Sequence, residues 1–172
     1  MTNYKEIVTK AVLSKGKRLF TTTNQVEVEN PSTVLGCWII NHDFKGVRDH
    51  DEIVIDGSYD VNLWYSYDQD TKTNVVTHTD HYHEVIHMRE HDADMEEEVI
   101  VRSLKQPSCI KTQLDGNQIT YTIEKELGIE LVGDVKVKIE ANLEEEPWDE
   151  IVEDSLSEEE IKDDFIQEEP II

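Results

Sequence analysis

Positive charge is scarce in this sequence: 16 lysines and arginines stand against 39 aspartates and glutamates, for a formal net charge of −23. A surface of that sign repels phosphate backbones and anionic headgroups, which excludes nucleic acid and makes anionic membrane a poor partner. Long apolar runs are missing as well. Nothing approaches the roughly 20 residues of a membrane-spanning helix, so no membrane span is expected. The charged opening "MTNYKEIVTKAVLSKGKRLF" lacks both the apolar stretch and the cleavage site of a secretory leader, and the expectation is synthesis and residence in the cytosol. Cysteine is limited to Cys37 and Cys109. Each sits in an apolar setting without a cation to activate it, as expected of buried thiols rather than nucleophiles. Phosphate loops, dinucleotide glycine fingerprints and Gly-x-Ser-x-Gly elbows are all absent from the sequence, which removes the commonest nucleotide and hydrolase signatures.

What is present is enough chain for one domain and something extra. At 172 residues the protein can bury a core without disulfide staples. Its hydrophobic share of 37% falls below the ordinary globular value, so part of the chain is expected outside that core. Three regions follow. Residues 1–16 place Tyr4, Ile7, Val8, Ala11 and Val12 at helical spacing, with Thr2 or Asn3 to cap and Gly16 to end. This predicts a short amphipathic helix whose apolar stripe needs a partner surface. Residues 17–142 change period from 3.6 to 2. In "GSYDVNLWYSYD", Tyr59, Val61, Leu63, Tyr65 and Tyr67 share one face, and Ser58, Asp60, Asn62, Trp64 and Ser66 the other. Asn30-Pro31, Asp115-Gly116 and Gly133-Asp134 read as turns. The fold class expected is mainly β: an antiparallel β-sandwich or open barrel of about seven or eight strands behind a short N-terminal α-helix.

At residue 143 the composition breaks. Residues 143–172 hold fourteen acids and one base, Lys162, which is −13 of the total and leaves −10 for residues 1–142. Self-repulsion predicts a largely disordered acidic tail. Its apolar residues are interleaved rather than missing, however. Trp148, Ile151, Leu156 and Phe165 are therefore the candidate anchors of a client-binding segment, and basic proteins are the clients its charge would steer.

"THTDHYHEVIHMREH", at 77–91, gathers five of the seven histidines. On a strand, His81, His83 and His87 face one way with Thr77 and Thr79, while His78, Asp80, Tyr82, Glu84 and Ile86 face the other. A zinc or iron site needs three oriented ligands and an enclosed pocket, and neither His42 nor His50 is indicated as a further ligand. A solvated strand face with incidental imidazoles is the better reading, open to protonation in mild acid. No catalytic, cofactor-binding or metal residues are expected.

Taken together, "YKEIVTKAVLSKGKR", "STVLGCWIINHDF", "GSYDVNLWYSYDQDTKTNVVT", "QPSCIKTQLDGNQITYTIEKELGIELVGDVKVKIE" and the acidic tail resemble the outer spore coat morphogenetic protein CotE family of endospore-forming bacteria. The departure lies at 78–98, where the histidines are. The resemblance implies a non-enzymatic scaffold. It would be made in the mother-cell cytoplasm and then held in the spore coat at the forespore surface. There it would form homo-oligomers, dock on a basement-layer protein and recruit outer coat client proteins through its C-terminal end. With that implication, Tyr4, Ile7, Val8 and Val12 are the candidates for self-association. Two rivals stand beside it: a metal-dependent β-barrel enzyme centred on His81, His83 and His87, and a monomeric acidic binding module for basic proteins.

Overall fold

Alternation of inward and outward side chains organises a computed structural model that describes residues 4–87 and 97–140. Among the described residues there are six strands: β1 (Tyr4–Glu27), β2 (Pro31–Asp49), β3 (Glu52–Tyr67), β4 (Lys72–His87), β5 (Glu98–Asp115) and β6 (Gln118–Glu140). They form two antiparallel three-stranded sheets, ordered β1-β6-β5 and β2-β3-β4. The central strands β3 and β6 supply most of the core. Tyr59, Val61, Leu63 and Tyr65 meet Ile119, Tyr121 and Ile123, and Ile53 and Ile55 meet Leu127, Ile129 and Leu131 with Phe20. This is a sandwich rather than a barrel. The edge strands β2 and β5 lie alongside each other without forming a ladder. A Cβ on Gly46 of β2 would overlap the Val101 side chain of β5, so glycine is what lets these edges close.

The turns use local chemistry. Gly116 takes φ 61° in the two-residue β5–β6 connection, as the sequence signal at Asp115-Gly116 predicts. Asn30, at φ 43°, turns the chain into β2. The β3–β4 hairpin is more strained, because Asp68, Gln69 and Asp70 are all left-handed (φ 54°, 55° and 63°). It is tied down by the Asp70 carboxylate, which accepts from Ser66 Oγ at 2.5 Å and Thr33 Oγ1 at 2.9 Å. Those two bonds, Ser66 first, hold the Asp70 carboxyl below its usual pKa.

Three expectations are corrected. The predicted N-terminal helix is the first half of β1. Its residues include β-branched Ile7, Val8, Thr9 and Val12, a dozen-residue helix is marginal alone, and β6 offers a full-length pairing partner. The pairing is antiparallel, with Lys17 beside Glu126 at 3.7 Å and Glu6 beside Lys138 at 3.9 Å. The strand count is six in the described residues, not seven or eight, because the strands run 16–24 residues. Finally, Gly133-Asp134 does not turn, and β6 passes straight through it.

Candidate functional site

Between the sheets the sequence places polar groups where alternation calls for apolar ones. On β6 the inward series Ile119, Tyr121, Ile123, Leu127, Ile129 is broken by Lys125, which is 2% exposed. Its Nζ donates to Glu84 Oε1 of β4 at 3.0 Å and lies 4.0 Å from the Tyr82 ring centroid and 5.1 Å from that of Phe20. An ammonium so enclosed needs both the carboxylate and the ring faces. Tyr82 lies flat because Gly57 opposite it has no Cβ to meet the ring. The Tyr82 hydroxyl donates to His42 Nε2 at 2.7 Å, since His42 Nδ1–H is committed to the Gln106 side-chain oxygen Oε1 at 3.3 Å. Burial lowers the His42 pKa, and Lys125 lowers it further, against opposing contributions from Gln106 and Asp43.

Toward β1 a second network closes the sandwich. Asp80 accepts from Tyr121 Oη at 2.9 Å and from Asn24 Nδ2 at 2.8 Å. His78 Nε2 stands 2.5 Å from the same tyrosine hydroxyl. Burial, then Asp80, raises the Tyr121 pKa, so its hydroxyl stays protonated. A cleft of about 690 Å³ opens here, lined by Asn24, His78, Asp80 and Tyr121. Among the described residues no group of three or more His, Cys, Asp or Glu is placed to hold a metal ion. Cys109 Sγ donates to the Lys111 carbonyl oxygen at 3.5 Å, and burial, with Cys109 adding to it, pushes the Cys37 thiol up to about 12.

The outer face of β2-β3-β4 carries the other histidines. His81, His83 and His87 stand opposite Ser58, Asp56 and Glu52, with His83 Nδ1 2.6 Å from Asp56 and His87 Nδ1 3.3 Å from Glu52. His91 lies outside the described residues. The histidine strand therefore has the two faces the sequence predicts, with the outer imidazoles in water against carboxylates. Further along this face, Trp38 and Trp64 stand edge to face, centroids 6.2 Å apart at 86°, with 55% and 41% of their surface exposed. A Cβ on Gly36 would fall 2.5 Å from Trp38 Cη2, so the indole rests on bare backbone. Asp60, on the same face, accepts from Thr79 Oγ1 at 2.6 Å and Asn41 Nδ2 at 2.8 Å, and these bonds hold its carboxyl below the usual range.

Of the predicted self-association residues, Tyr4, Ile7, Val8 and Val12 all lie exposed along β1, Val8 at 66%. They form part of an edge strand, not a helical stripe. The predicted client anchors Trp148, Ile151, Leu156 and Phe165 lie outside the described residues. Sequence reasoning missed Lys125–Glu84, His42–Tyr82 and the Trp38–Trp64 pair. The signals for the first and third were legible: a lysine inside an apolar period-2 series, and a tryptophan on an otherwise polar strand face.

The two sheets and the large apolar side chains left in water define a mainly β protein, with His78 Nδ1 buried and without a hydrogen-bond partner among the described residues. Among the described residues no helix is long and apolar enough to cross a membrane. A family model for outer spore coat protein E (CotE) matches residues 3–170, nearly the whole chain, and the chain belongs to that family. It is thus a spore coat protein of a structural family. No curated protein and no solved structure matches it.

Proposed function

We propose that this protein is a non-enzymatic scaffold of the outer spore coat that associates with copies of itself through exposed surfaces of its sandwich and recruits basic coat proteins through residues 143–172. The observation that carries the reading is the first half of β1. Ile7, Val8, Val12 and Leu19 stand in water there, on a strand whose outer edge has no ladder partner among the described residues. An open edge with β-branched side chains is unstable as a free surface and is satisfied by another chain. The acidic segment supplies the second valence. Many weak contacts from a self-associating body and a charged arm add through effective concentration. Assembly begins in the mother-cell cytoplasm and ends on a basement-layer protein at the forespore.

Truncation after Asn142 tests the division of labour. The truncated protein keeps the size distribution of the full chain in sedimentation velocity, while its pull-down of basic coat proteins is lost. Undiminished recruitment by the truncated chain would refute the role given to the tail.

A further inference from the structure

The Trp38–Trp64 pair is a prepared contact without an occupant among the described residues. Gly36 lets the Trp38 indole lie against backbone, and Trp64 is the cross-strand neighbour of that same glycine. Two large side chains are thus held in fixed orientation before any partner arrives, the usual make-up of an interface hot spot. Nearest to them along the same face are the carboxylates of Asp60 on β3 and Asp43 on β2, with Lys45 the base of β2; farther along, Asp56 and Glu52 stand beside His83 and His87. Asp60 is kept ionised by Thr79 and Asn41. An occupant must therefore bring apolar side chains and positive charge together.

One described stretch of this chain does so. Between Tyr4 and Leu19, β1 carries Lys5, Lys10, Lys15, Lys17 and Arg18 against one acid, Glu6, in a chain whose total is −23. Its exposed Val8 and Val12, four residues apart and so on one face of the strand, supply the apolar half. Pairing of β1 with β1 of another copy would set lysines against lysines, which opposes a symmetric edge-to-edge contact. The acidic face cannot be reached within one copy, because it is the outside of β2-β3-β4, whereas β1 belongs to the other sheet.

We infer that residues 7–19 of one copy dock on the Trp38–Trp64 face of the next. This rests on the self-association proposed above and names its two surfaces. The contact is heterologous, so each copy offers one donor strip and one acceptor face, and the assembly grows without closing on a dimer.

The test uses two full-length variants in sedimentation velocity. Trp38→Thr with Trp64→Thr removes the face, and Val8→Lys with Val12→Lys spoils the strip. All four side chains are exposed, and circular dichroism checks that both variants fold. The expected result is that each variant alone sediments as a monomer, with association weakened at least about a hundredfold. An equimolar mixture gives heterodimers and nothing larger, since one good strip meets one good face. Gly36→Val keeps both tryptophans but dislodges Trp38, and weakens assembly part of the way. If the strip variant alone still dimerises through its intact face, the contact is symmetric and the inference is overturned. Undiminished assembly of the tryptophan variant assigns the face to another occupant, such as a basic client, and also overturns it. A wild-type chain that stays monomeric at every concentration instead refutes the self-association on which the inference rests.

Discussion

Breaking the Lys125–Glu84 pair from either side should have unequal effects, and the structure sets the inequality. Lys125 is 2% exposed and Glu84 22%. Glu84→Leu strands an ammonium in the core with only the Tyr82 and Phe20 rings for company, which costs about 3 kcal/mol. Lys125→Met removes the charge and nearly preserves the volume. It leaves a carboxylate that water can already reach, at a cost of about 1 kcal/mol. Lys125→Met combined with Glu84→Leu replaces the pair by packed apolar groups and returns stability to within about 1 kcal/mol of the starting protein. The coupling between the sites is then about 3 kcal/mol, well beyond the scatter of independent substitutions. Urea unfolding followed by far-UV circular dichroism, at one protein concentration and one salt concentration, reads all four corners of the cycle. Additive costs, or a lysine substitution more damaging than the glutamate one, would refute the view that desolvation of Lys125 governs this part of the core.

The remaining expectations address groups elsewhere in the unit. His42 has its pKa lowered by burial, so the unfolded chain binds more protons in mild acid. Its contribution to stability is full above about pH 6.5 and is lost as pH falls through the folded value, and His42→Phe should flatten that slope in urea midpoints measured against pH. With the Cys37 thiol at about 12, alkylation by iodoacetamide near pH 8 should run about a thousandfold slower than for a free thiol and accelerate on unfolding. Gln69→Gly relieves one left-handed residue of the β3–β4 turn and should raise stability by about 1 kcal/mol, or about 3 °C in thermal midpoint.

The strands were readable wherever the period of two ran unbroken. Tyr59 to Tyr65 and the two faces of β4 are placed as the alternation predicts, because burial on one face leaves a strand no freedom of register. His42 was not readable, and the reason is a single extra residue. Asn41, at φ 54°, sits in a register shift between Ile40 and Asp43. That bulge reverses the phase of β2, turning His42 inward and Asp43 outward. The N-terminal segment failed for a different cause. Its apolar spacing fits a helix and a strand alike, and only the 23-residue partner β6 decides between them. Lys125 looks like an error in an apolar series until Glu84, 41 residues away in sequence, is brought opposite it.

The antiparallel pairing of β1 with β6 has a mechanical result. The chain enters the unit near Glu6 and leaves it near Lys138, side by side. Tension between these two ends would peel β1 from β6 one hydrogen bond at a time, a weak mode of resistance. Pull transmitted between neighbours through the broad face of the other sheet would instead be spread over many bonds at once. A material woven from such units would resist stretching along the lattice and give way first where β1 pairs with β6.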